Sequence, residues 1–293
     1  MTETTPHMNP KRHWTKRLRG FLPEFFEQHT VLSRFHQRAS VIFHGSTTMG
    51  IDDEHSDLDL WLLLTAADLA KLDAVSETRF FEITVDGKLG HLNADSVEGV
   101  SERLRRCDMD LIFQLRNAEI MSDDTGAAEQ LIGLARTPMS KRVSEAFFFY
   151  HYVEMRGERR ACGSPMQRGN PIGLLLAASK AIAHILKAAL VLDREPYPYD
   201  KWLSYAAAKS TTGQQVLPKI DNVLDLFAGD ALRLKAPLRN HPLYCALKDA
   251  RDVLIQSARA KGLDAPWLTH WWLYMNQAQD EIKGIRWDGL DGE

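Results

Sequence analysis

Two apolar runs flanking a Gly-Ser bend and an Asp-x-Asp pair constrain this chain more than any other feature. Val41-Ile42-Phe43 leads into His44-Gly45-Ser46, and ten residues after Ser46 come Asp57-Leu58-Asp59, followed by Leu60-Trp61-Leu62-Leu63-Leu64. Short apolar runs of this length, bounded by polar turns, read as buried strands. On a strand side chains alternate, so Asp57 and Asp59 share one face. Glycine lets backbone amides approach an anion, and a serine hydroxyl can donate to a phosphate. Paired aspartates are hard oxygen ligands of the kind Mg²⁺ takes together with phosphate oxygens. The segment therefore offers a phosphate cradle at Gly45-Ser46, with Thr47 and Thr48 adding hydroxyls, and a cation platform at Asp57 and Asp59. Simple turn chemistry accounts equally well for the two threonines.

This pattern resembles the nucleotidyltransferases of the DNA polymerase β type, whose signature is Gly followed by Gly or Ser, a spacer of similar length, and Asp-hydrophobic-Asp. Further blocks, His44 to Thr48, Ser56 to Asp59, Asp86-Gly87-Lys88-Leu89-Gly90-His91 and Tyr197-Pro198-Tyr199-Asp200-Lys201-Trp202-Leu203, are similar to a poorly characterised family of bacterial nucleotidyltransferase-like proteins. The resemblance implies an α+β fold: a small mixed β-sheet domain with flanking helices, then an all-helical bundle. It also implies Mg²⁺ (or Mn²⁺) as cofactor and a nucleoside triphosphate, ATP in the first instance, as co-substrate.

The superfamily draws a third carboxylate from a later strand, and here the sequence departs from the pattern. The hydrophobic-flanked position in Leu92-Asn93-Ala94 holds an amide. Asp95, two residues on and on the same strand face, is taken as the third acid. Asn93 as a neutral ligand, with His91 or Glu82 assisting, is the alternative. Lys201 is a candidate to reach the triphosphate from the helical half, and Tyr199 or Trp202 to stack on a base; the plainer alternative has them packing a helix start. Glu145 and Glu154 are candidate general bases. Asp52, Asp53 and Glu54 read as a solvated loop.

The 293 residues suffice for two ordinary domains. A boundary near Pro138 divides the chain into 1–137 and an all-helical 138–293, and the resemblance implies that the first is the catalytic module and the second binds acceptor or nucleotide. Residues 12 to 38 read as one or two helices, interrupted near Pro23. Strands are expected at 40–44 and 57–64. A hairpin closes on Asp86-Gly87, a type I′ turn pair that sets Val85 opposite Lys88 and Glu82 opposite His91. Residues 100–117 read as one helix, 118–126 as an acidic turn, 141–159 and 171–192 as long helices, and 163–171 as a loop. Further helices are expected at about 199–208, 215–228, 241–260 and 264–283.

A hydrophobic content of 44% and charged content of 26% are those of a globular protein. No apolar run is read as reaching the roughly 20 residues of a membrane span, so no membrane association is expected. Three scattered cysteines lack metal-ligand spacing and fit a reducing, cytoplasmic compartment. The net charge of −3 argues against a nucleic-acid backbone as the main partner. The expected activity is transfer of a nucleoside monophosphate to a small-molecule hydroxyl, in the manner of aminoglycoside or lincosamide nucleotidyltransferases. Nucleotidyltransferase toxins acting on protein or tRNA, and a nucleotide-binding regulator without turnover, are the competing readings.

Overall fold

The computed structural model describes residues 10–287. They divide into two compact units, Met1–Thr137 and Pro138–Glu293. The first is α+β and the second is helical.

The first unit opens with α1 (Pro10–Gln28), which runs through Pro23, and a 3₁₀ segment at Leu32–Arg38. Then follow β1 (Ser40–His44), the short α2 (Ser46–Met49), β2 (Leu58–Leu64), α3 (Ala66–Asp73), β3 (Phe80–Val85) and β4 (Lys88–Ser96). The unit ends with α4 (Val97–Arg105), α5 (Met109–Asn117), β5 (Glu119–Asp123) and α6 (Ala127–Arg136). The five strands form one sheet in the order β3-β4-β2-β1-β5. Only the β2–β4 pair is parallel, so the sheet is mixed.

The alternation expected of a sheet covered on one side decides which residues face the core. Leu58, Leu60, Leu62 and Leu64 of β2 join Phe81, Ile83, Val85, Leu92 and Ala94 in a buried cluster with Leu18, Leu22 and Phe26 of α1 and Leu69 and Leu72 of α3. The intervening residues Asp59, Trp61, His91 and Asn93 fall on the opposite face and are only partly buried. The hairpin has the register its turn predicts, Val85 opposite Lys88 and Glu82 opposite His91, with Asp86 and Gly87 both at positive φ.

Two local readings of this unit need correction. The single helix expected over 100–117 is two, broken where Cys107 takes a φ of 58° and the Asp108 side chain caps α5 by accepting from the Leu111 amide. The acidic turn is in fact strand β5 on the edge of the sheet, antiparallel to β1. Asp123 at its end accepts from Ser40 Oγ and from the Ala128 and Glu129 amides, so this acid is committed to holding the start of α6.

In the second unit α7 (Lys141–Ala161), the short α8 (Gly163–Arg168) and α9 (Pro171–Leu192) come first. Next are α10 (Leu203–Ala207), α11 (Thr211–Ala228), α12 (Pro242–Ala260), α13 (Trp267–His270) and α14 (Met275–Gly284). Residues 163–168, expected as loop, are helical, and the last expected helix is two short ones joined by a 3₁₀ turn at Trp271–Leu273. Helix α9 is long and apolar enough to cross a membrane, contrary to the expectation that no segment would be. Here it is the central helix of the bundle, packed against α7, α11 and α12, with Ala178, Ala181, Ile185, Ala188 and Ala189 fully buried.

The aromatic stripe of α7 is core, with Phe148 and Tyr152 packed on Trp267. One step along that face, His151 is buried with Nδ1 2.9 Å from Nδ1 of His184 on α9. Burial holds both imidazoles below their ordinary range, and His184 and Lys187 lower His151 further. Both are therefore neutral in the folded chain near pH 7 and protonate in the unfolded chain below about 6.5. The unfolded state binds more protons there, so stability is full above pH 6.5 and falls as the pH drops. Urea unfolding at pH 7, 6 and 5 should show this decline, and His151→Leu should lessen it, with buried His44 and His184 keeping the remainder.

Candidate active site

The sheet register assembles one polar row. Glu82 of β3 lies opposite His91 of β4, His91 opposite Asp59 of β2, and Asp59 opposite His44 of β1. Asp57 stands one residue before β2 begins, two positions from Asp59. Asp57, Asp59 and His91 each offer a ligand atom, and these atoms all lie within 4.8 Å of one another. Asp57 Oδ2 is 3.0 Å from His91 Nδ1.

Two glycines make the approach possible. Gly45 ends β1 with φ 87° and ψ −163°, a conformation that side chains disfavour. A Cβ built there would sit 2.4 Å from Asp59 Oδ2, so the Asp59 carboxylate lies directly against the Gly45 bend. Gly90 precedes His91, and a Cβ there would meet the Leu58 carbonyl oxygen at 2.8 Å and Leu58 Cβ at 2.9 Å. Leu58 lies between the two aspartates, so Gly90 is what lets β4 bring His91 up to them. Gly90→Ala should therefore destabilise the chain by about 1–3 kcal/mol through overpacking, measured as a lower urea midpoint.

After Gly45 the chain turns into α2, with Thr48 Oγ1 and the Met49 amide both donating to the Gly45 carbonyl. Ser46, Thr47 and Thr48 are buried, and Thr47 Oγ1 has no hydrogen-bond partner. His44 is buried with its ring 4.1 Å from that of Trp61, and its Nε2 is unpartnered. Burial pushes the imidazole down to about 3 despite the opposing pull of the Asp57 charge, so His44 is neutral at physiological pH. In the loop before β2, Asp53 turns inward on its own segment, accepting from the His55 amide and Ser56 Oγ.

Asp95 does not join the site. The parallel register sets it opposite Leu63, four residues along β4 from His91, or about 13 Å at the strand rise. Its carboxylate accepts from the Ser96 amide and lies 3.8 Å from Arg103. Asn93 stands opposite Trp61, one pleat beyond Asp59. The side chain that the fold brings beside Asp57 and Asp59 is His91, the assisting residue of the alternative set, and not Asp95. The hairpin register already fixed it opposite Glu82; the missing information was that β2 runs parallel to β4 with Asp59 opposite His91.

Lys201 belongs to the second unit, where its ammonium lies 5.3 Å from the Tyr199 ring centroid and 4.8 Å from that of Trp202. Trp202 Nε1 donates to Tyr199 Oη at 2.9 Å, so the three side chains form one cation–aromatic group in which Tyr199 and Lys201 are exposed and Trp202 is half-buried.

Chemically, two carboxylates and an imidazole beside a glycine bend can hold a divalent cation. Two ligands at about 2.1 Å from one octahedral ion are about 3.0 Å apart when adjacent, the separation of Asp57 Oδ2 and His91 Nδ1. The donor set fits a cation, and the lack of a side chain at Gly45 is what lets the Asp59 carboxylate lie against the bend.

No family model matches this chain, and no curated protein matches it. Among solved structures, it is similar to a nucleotidyltransferase-like protein from Exiguobacterium sibiricum 255-15, with 11% identity over 92% of this chain and 87% of that one, at a TM-score of 0.45. At that distance the likeness says nothing about what this chain binds or does.

Proposed function

We propose that this chain is a divalent-cation-dependent nucleotidyltransferase, acting in the cytoplasm, that moves AMP from ATP to a hydroxyl of a small-molecule acceptor and releases pyrophosphate. The observation that carries the reading is the contact between Asp59 and the Gly45 bend, with Asp57 and His91 completing a ligand cluster. When bound, a divalent cation supplies charge neutralisation on the triphosphate. Asp57 and Asp59 hold that charge in place, and Gly45 keeps the wall beside them free of side chain. Ser46 and Thr47 direct hydroxyls to the phosphate oxygens, Thr47 with an oxygen that has no partner within the protein. His44 stays uncharged, so it neither competes for the carboxylates as a cation nor donates a proton near pH 7. The acceptor oxygen bonds to the α-phosphorus as the bond to the β-phosphate oxygen breaks. Pyrophosphate leaves with the electron pair, and the hydroxyl proton passes to solvent.

Imidazole in place of the third acid favours one second reading, a nucleotide-binding regulator that does not turn over. Pyrophosphate release separates the two. Each NTP is incubated with Mg²⁺ or Mn²⁺ and a library of hydroxyl acceptors, and the products are read by mass. Release tied to an adenylated product supports the transferase, whereas metal-dependent nucleotide binding with no release in any combination supports the regulator.

A further inference from the structure

The third ligand position differs in chemistry from the other two. Asp57 and Asp59 are hard anionic oxygens; His91 offers a nitrogen. Its ring is held in place: it packs on Phe80 with centroids 4.6 Å apart, its backbone follows the Gly90 contact with Leu58, and its Nδ1 points to Asp57. Mg²⁺ takes oxygen donors almost to the exclusion of nitrogen, whereas first-row transition dications accept imidazole readily.

We infer that His91 is a ligand that turns this site toward first-row transition dications over Mg²⁺, with Mn²⁺ as the spectroscopic probe of that preference. The inference rests on reading Asp57 and Asp59 as a cation platform. The imidazole also sets the charge: two carboxylates and a neutral ring carry −2, where three carboxylates would carry −3. Mg²⁺ gains most from added anionic oxygen, so an acid at 91 is the change that restores it. The competing role for His91 is purely orienting, with Nδ1–H donated to Asp57 and the ring outside the coordination shell.

The experiment uses the full chain labelled with ¹⁴N- or ¹⁵N-histidine, with Mn²⁺ as probe, in the presence and absence of α,β-methylene ATP. Electron spin-echo modulation should show one histidine nitrogen coupled to bound Mn²⁺, changing with the isotope and absent in His91→Asp. Competition titrations should show the Mn²⁺-over-Mg²⁺ affinity ratio of the wild type falling at least tenfold in His91→Asp, with Mg²⁺ binding retained or improved. Bound Mn²⁺ with no nitrogen coupling and an unchanged ratio in the variant would overturn the ligand role while leaving the aspartate platform intact. Wild-type chain that binds no Mn²⁺ under either condition, or whose binding survives Asp57→Asn/Asp59→Asn, would overturn the platform and the inference with it.

Discussion

Asp57→Asn/Asp59→Asn should lower AMP transfer on the order of 10³-fold or more, and remove tight Mn²⁺–ATP binding, without unfolding the chain. The effect is large because the asparagines keep shape and polarity but lose the two charges that offset the cation, and electrostatic positioning supplies most of the catalysis in this chemistry. The stability readout separates this from a folding defect. Asp57 is about two-fifths exposed, and the two carboxylates crowd one another beside a buried neutral His44. Asp57 pairs with His91 Nδ1 at 3.0 Å, and asparagine keeps a polar side chain of the same size there, so the thermal midpoint without metal should change little. The same substitutions should abolish the further stabilisation that Mn²⁺ gives the wild type. Circular-dichroism melts with and without Mn²⁺, run beside calorimetric titrations, measure both sides.

Gly45→Ala should produce the second-largest loss, about 10²-fold in nucleotide-dependent turnover together with about 1–3 kcal/mol of stability. Two costs coincide at this position. The φ of 87° with an extended ψ is a region that alanine scarcely enters, and the added methyl would fall 2.4 Å from Asp59 Oδ2. Either the bend moves away from the carboxylate or Asp59 turns away from His91 and Asp57; both outcomes dismantle the arrangement. Gly50 provides the control. It has φ 74° in the left-handed region, caps α2, and has nothing within 4 Å of where its Cβ would be. Gly50→Ala should cost about 1–2 kcal/mol from backbone strain and leave Mn²⁺–ATP affinity unchanged. If both variants lose stability equally and both keep the nucleotide, Asp59 does not depend on the bend.

The strands and hairpin were legible because their signals are local. Asp86-Gly87 specifies its turn, and the turn then dictates that Glu82 faces His91. Helix α9 begins at Pro171, where Asn170 caps it by accepting from the Gly173 amide, an entry signal visible in the sequence. Strand β5 was not legible: Glu119–Asp123 is short and half polar, and it becomes a strand only because β1 presents an open edge. The break between α4 and α5 depends on a left-handed Cys107, which no residue type announces, although Asp108 was an available capping signal. The Gly-Ser bend and the two aspartates could be read as neighbours from the chain alone. Which residue of β4 completes the cluster could not, because it depends on a parallel pairing whose register is set by packing of Gly90 against Leu58.

The most direct test is a crystal of this chain grown with Mn²⁺ and α,β-methylene ATP, with anomalous data collected at the manganese edge. A peak bonded to carboxylate oxygens of Asp57 and Asp59, and shared with phosphate oxygens resting against Gly45 and Ser46, is the predicted result. Nucleotide and manganese bound together elsewhere on the chain, with those two side chains touching neither, would contradict it.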